Sequence, residues 1–310
     1  MKCGRIWRPV RSAPHASRTS FGSQISSCFG GRGAPVRYIE RMLKIIDQAA
    51  MQTGTTNSRI GFATEGSGAW KVWDRYLTVD GKRAYHLGNI HQTCEFLFER
   101  LDGARTSINV ENTAEALASG IRAISDPVVA QVGAGLPGDD YVACLSEAML
   151  QLVRPGQPDD YFVKEQTALW GTDRFWDLPH DPRVSYYRAG EASLGNGMKL
   201  FQFVIPMFPE SWLDPEVVSG YVRQVDDGGI PTAVAISLLD VKGPSDWKGE
   251  IDPTEHWSLS HFLIDGHHKV CAARESGRPV RLLSFISLTH GISTRKQIER
   301  AIGATSGSPE

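Results

Sequence analysis

No stretch of this chain approaches the roughly eighteen uninterrupted apolar residues that a membrane helix needs, because its apolar runs are short and end in Pro, Gly or charge. A membrane span is therefore not expected. Cysteine is sparse and scattered: five residues, at 3, 28, 94, 144 and 271, odd in number and without a repeated spacing. That pattern argues against a disulfide framework or a paired-cysteine zinc knuckle and implies a reducing, cytoplasmic setting. Also missing are a Gly-x-x-x-x-Gly-Lys-Ser/Thr phosphate loop, a Gly-x-Ser-x-Gly elbow and a Gly-x-Gly-x-x-Gly fingerprint.

Acidic residues are nearly absent from the start of the chain. Residues 1 to 41 carry eight Lys or Arg against the single acid Glu40, which leaves 25 basic and 34 acidic residues after it. An acidic surplus over the remainder argues against a nucleic-acid binder, which would be expected to show a basic face. The opening segment is rich in Arg, Ser and Gly and lacks periodicity, so disorder is expected. Its composition also fits an organellar transit peptide, or a start placed too early with initiation at Met42 or Met51.

What is present is an ordinary globular composition, 310 residues with 41% hydrophobic content, enough for two modest domains or one large one. Asp80-Gly81 between YLTV and KRAYHL predicts a hairpin over Tyr76 to Leu87, since that pair accepts the positive φ angles of a type I′ turn. IHQTCEFLFERLDG reads as a helix stopped by Gly103, and a second helix is expected from Thr113 to Ile124 with Asn112 as its cap. Asp126-Pro127 starts a further helical turn or two. Tyr141 to Val153 fits strand or helix equally. Between Asp160 and Arg188 the aromatics Trp170, Phe175, Trp176, Tyr186 and Tyr187 suggest either anchors for a long irregular connection or a ligand wall.

Past Gly195 to Gly197 the signals sharpen. LFQFVIPMF, TAVAISLLDV, HFLI and VRLLSFI read as strands. Asp214-Pro215 opens a helix to about Asp226, and another runs from His267 to Ser276 before Gly277. The fold class is thus α+β, with an α+β region over residues 42 to 190, a small mixed-sheet module over 198 to 290, and a C-terminal helix and tail over 291 to 310.

The candidate site is Asp265-Gly266-His267-His268-Lys269, where a strand ends, glycine permits close backbone approach, and a helix begins. The first amides of a helix have no internal partners and, with the dipole, attract anions. His267, His268 and Lys269 place side-chain donors in that first turn, where a bound phosphate would hold the imidazoles protonated.

The order helix, strand, strand ending in a Gly-led basic motif, helix with Ala272-Ala273, strand resembles the ParB and sulfiredoxin superfamily over Phe201 to Leu288. GHHKVCAA is similar to the ParB phosphate motif, and DGHHK is nearer still to the DGHHR motif of the free-serine kinases of that superfamily. The resemblance implies ATP or ADP with Mg2+ as cofactors. It implies that Gly266, His267, His268 and Lys269 hold the phosphates, that Glu210 in VIPMFPESWLD is the base accepting a substrate hydroxyl proton, and that Asp265 positions substrate or magnesium. The partners would be a nucleotide and a small hydroxyl-bearing molecule, and the activity that of a small-molecule kinase; the alternative is a nucleotide sensor without turnover. Three departures matter. Lys269 stands where the motif has an arginine and loses its planar fork. His267 occupies the place of sulfiredoxin's reactive cysteine, which disfavours sulfinic-acid reduction. About twenty residues follow Leu288, where ParB proteins carry a helix-turn-helix domain, so DNA partitioning is disfavoured.

Two other groups stand out. His91, Cys94 and Glu95 would share one face of the expected helix, near His86, and could be read as zinc ligands, or Cys94 as a small buried hydrophobe. His261 is expected near the nucleotide pocket and His256 on a surface loop.

Overall fold

The computed structural model describes residues 43–306, except 54–56, 68–69, 106–107, 109–111, 175–176 and 248–249. The expectations for residues 1 to 41, and for Phe175 and Trp176, fall outside the described residues. The fold is α+β. Its strands are β1 (Lys44–Thr53), β2 (Ile60–Ser67), β3 (Trp70–Val79), β4 (Lys82–Asn89), β5 (Glu99–Arg100), β6 (Asp139–Ala148), β7 (Gln151–Val153), β8 (Tyr186–Ser193) and β9 (Lys199–Ile205). They continue with β10 (Thr232–Lys242), β11 (Ser245–Trp247), β12 (Glu250–Asp252), β13 (His256–Asp265) and β14 (Val280–Ser287). The α-helices are α1 (Ala114–Ser119), α2 (Pro127–Ala134), α3 (Thr167–Trp170), α4 (Pro215–Asp226), α5 (His267–Glu275) and α6 (Arg295–Thr305). None of the described helices is long and apolar enough to cross a membrane.

One mixed sheet organises the molecule, in the order β1-β6-β14-β10-β13-β9-β8-β7. Its centre is the unbroken block β14-β10-β13-β9, the four strands legible between residues 199 and 287, with β10 parallel to β14 and antiparallel to β13, and β13 parallel to β9. Strands from earlier in the chain extend it on both sides: β6 pairs antiparallel with β14, and β8 antiparallel with β9. β10 and β13 are buried almost throughout, which explains why their sequences run apolar without alternation: both faces of the sheet are covered.

On one face Ile236, Phe262 and Phe285 meet Leu77 and Tyr85 of the smaller sheet β2-β3-β4-β5. On the other, Ala235, Leu263 and Leu282 meet Val270 and Ala273 of α5 and Ile298 and Ile302 of α6. α4 lies on α5 through Val218, Cys271 and Ala272, small residues that let the two helices approach.

Local chemistry explains most boundaries. Asp80 and Gly81 take φ of 50° and 72°, closing the expected hairpin between β3 and β4. The Asp126 and Asp214 carboxylates accept from the amides two residues on, at 2.9 Å each, ahead of Pro127 and Pro215. Tyr141 to Val153 is strand, β6 and β7. The aromatic connection is organised by buried Asp160, which accepts from Gly156 N at 2.8 Å and the Tyr186 hydroxyl at 2.7 Å and leads into a π-helical turn, Phe162–Gln166. Tyr161, Phe162, Tyr186 and Phe98 pack edge to face around it.

Two expectations are corrected. The helix over 91 to 103 does not form: Cys94, Phe96 and Phe98 are buried while the residues between them are not, a two-residue period, and the segment ends in β5 paired with β4. The helix from Thr113 stops at Ser119 instead of Ile124, because Gly120 turns the chain at φ 96°.

Candidate functional site

β13 delivers Asp265 to the sheet end, and Gly266, at φ 91° and ψ 23°, turns the chain into α5. Glycine is required twice over there: the angle is left-handed, and a Cβ would stand 2.7 Å from Cα and Cβ of Ala233 on β10. The helical ladder begins with Val270 N to Gly266 O at 2.9 Å, so the amides before it have no partner within the helix.

The side chains of the motif separate into two sets. His267 is 4% exposed, stacks on Phe208 with ring centroids 4.0 Å apart, and its Nε2 accepts from the Met207 amide at 2.9 Å. Burial above all, then the neighbouring His268, pushes its pKa down to about 3, so the ring is neutral with its proton on Nδ1. That Nδ1 is buried and has no hydrogen-bond partner. His267 is thus a neutral imidazole here. His268 Nε2 accepts from Asp214 N at 3.0 Å, joining the first turn of α5 to the cap of α4. Burial lowers its pKa against the opposing pull of Asp214 and Asp265.

Lys269 turns the other way. Its ammonium is buried and donates to Thr232 O at 3.0 Å and Asp265 Oδ2 at 3.1 Å, so Asp265 and Lys269 form a pair directed at the start of β10. Burial pulls the lysine pKa down while Asp265 raises it.

Glu210 opens a short 3-10 turn, Glu210–Trp212, after Pro209. Its carboxylate lies 3.3 Å from the Arg274 guanidinium and 3.6 Å from that of Arg154, and its side chain is 29% exposed. Glu210 and His267 line one narrow cleft, walled by Tyr187, Phe208 and Leu213. The structure therefore brings Glu210 and His267 together and sets His268 on the α4 side. Arg154 and Arg274 were missed in the sequence. Arg274 carried a faint signal, two helical turns beyond His267 on α5; Arg154, just past β7, carried none.

The remaining histidines are placed elsewhere. His256, expected on a surface loop, is 6% exposed at the start of β13 with its ring edge-on to Trp170 at 5.3 Å. His261 is buried within the sheet, Nδ1 2.7 Å from Ser237 Oγ, and does not line the cleft; burial pushes its pKa down to about 3. His91 Nδ1 lies 3.4 Å from Cys94 Sγ, whereas His86 is engaged by Asp74 at 3.0 Å. Without the helix, His91, Cys94 and Glu95 share no helical face, and among the described residues no three His, Cys, Asp or Glu side chains are grouped to hold a metal.

The fold is α+β, and beside the start of α5 its cleft holds a carboxylate, Glu210, and a buried imidazole, His267. Comparison of the chain with protein-family models, curated proteins and solved structures finds no match.

Proposed function

We propose that the cleft takes the phosphate chain of ATP or ADP on the first turn of α5 and transfers a phosphoryl group to a small hydroxyl compound, as the ParB and free-serine-kinase resemblance implies. The observation that carries this reading is that Glu210 and His267, remote in sequence, line the same cleft. What suits the site to a phosphate is the first turn of α5, whose amides ahead of Val270 have no acceptor within the helix.

In the proposed step the substrate oxygen forms a bond to the terminal phosphorus as the bond to the departing nucleotide oxygen breaks. The hydroxyl proton goes to Glu210, a base worth about 10^2- to 10^4-fold in rate. Arg154 and Arg274, both on the Glu210 carboxylate, would turn to the moving phosphoryl charge and free the base. Magnesium, when bound with the nucleotide, would neutralise phosphate charge; it commonly takes one or two carboxylates, and Asp265 is the nearest to the motif once Lys269 releases it.

Calorimetry with ATP and ADP, with and without Mg2+, and phosphate transfer to a panel of hydroxyl compounds test the reading. Glu210→Gln is expected to keep nucleotide affinity and lose at least a hundredfold in turnover. Absence of nucleotide binding would refute the site. Binding without transfer would favour a second reading, a nucleotide sensor, which draws support from the two guanidinium groups that already occupy Glu210.

A further inference from the structure

A second cleft, of about 300 Å3, lies between the smaller sheet and the loop that follows β14, and shares no residue with the first. Its size is at the lower end for a small-molecule site. Leu87, Ile90 and Ile292 supply aliphatic wall, and Phe62 stacks on His290 with centroids 3.9 Å apart at 19°, presenting a flat aromatic surface. Ile90, in the same wall, is 38% exposed.

The charges around this cleft are already matched. Arg75 in its wall is held by Asp240 through two bonds of 2.6 and 3.0 Å. Arg83 pairs with Glu65 at 2.9 Å and His86 with Asp74 at 3.0 Å. Asp139 accepts from the hydroxyls of Ser287 and Thr289. Burial lowers the His290 pKa; Asp139 opposes the shift and Arg75 adds to it, so the imidazole is neutral near pH 7. Lys242 lies behind, donating to the carbonyls of Asn89 and His91, and does not line the cleft. An incoming carboxylate or phosphate would meet no unpaired cation and would lose hydration without return. One neutral function is left over in the wall: the Thr289 hydroxyl oxygen, which already donates and can still accept.

From this geometry we infer that the cleft is a binding site for an uncharged, planar aromatic compound bearing an N–H donor such as a carboxamide, its ring on the Phe62–His290 stack and its N–H directed to Thr289. The site is independent of the proposed phosphate site.

The test is a calorimetric or NMR titration of the full chain with 2-naphthamide and with 2-naphthoate, which share a ring system and differ in charge. Saturable binding of the amide at least tenfold tighter than that of the acid is expected. Thr64→Trp, an exposed change at the mouth, and Ile90→Asp at the rim should weaken amide binding at least tenfold with unchanged thermal unfolding. No saturable amide binding would overturn the site, equal or tighter binding of the acid would overturn its neutrality, and amide affinity unaltered in both variants would overturn its location.

Discussion

Replacing Gly266 by alanine probes the turn on which the candidate site depends. The added Cβ would meet Ala233 Cα and Cβ at 2.7 Å and Lys269 Cδ at 3.3 Å. Ala233 sits fully buried on β10, so it has nowhere to retreat. Left-handed backbone costs an L-residue about 1 to 2 kcal/mol, and overpacking a tight site costs about 1 to 3 kcal/mol more. Gly266→Ala should therefore destabilise the fold by roughly 2 to 5 kcal/mol. Gly277, at φ 60° with nothing within 4 Å of its would-be Cβ, carries only the first cost. Gly277→Ala should lose about 1 to 2 kcal/mol. Urea unfolding of the three proteins, followed by circular dichroism and fitted with a common slope, separates the steric part from the torsional part. A Gly266→Ala protein no less stable than Gly277→Ala would refute the close packing of α5's start on β10.

Two further outcomes follow from buried charge. The Arg75 and Asp240 side chains, 8% and 14% exposed, tie the smaller sheet to the large one. Arg75→Met should cost about 3 to 5 kcal/mol by stranding the carboxylate, and adding Asp240→Leu should recover part of that loss; strictly additive losses would count against the pairing. His267, held near 3 against an ordinary 6.5, stays neutral in the folded chain while the unfolded chain takes up a proton. Its contribution therefore makes stability fall as pH drops from about 6.5 towards 3, by roughly 1.4 kcal/mol per pH unit. Urea midpoints of His267→Gln should fall less steeply than those of the parent between pH 7 and 5, and parallel curves would contradict the burial.

The sequence was most readable where a local rule and the tertiary environment agree. Asp80-Gly81, Asp126-Pro127 and Asp214-Pro215 fix their turns and helix starts through their own backbone chemistry, and the structure keeps all three. β10 and β13 announced themselves because their apolar runs are covered on both faces. Residues 91 to 100 misled because Cys94, Phe96 and Phe98 with their neighbours satisfy a helical spacing on paper, while pairing with β4 selects the extended form. The site was half legible. The glycine-led helix start is local and therefore visible, but that Lys269 would fold under the helix to Thr232, and that Arg154 would arrive beside Glu210, depends on strand order across the sheet, which no local spacing encodes.

That strand order has a consequence for anyone cutting the chain. Excising residues 199 to 287 would strip β6 from β14 and β8 from β9, leaving two raw borders of unsatisfied amides and carbonyls. It would also bare Phe203, Ile236, Phe262 and Phe285 where the smaller sheet and the aromatic connection now cover them. Such a fragment would seek strands in other copies of itself and come out of solution, so residues 199 to 287 are best studied in the company of the residues that precede them.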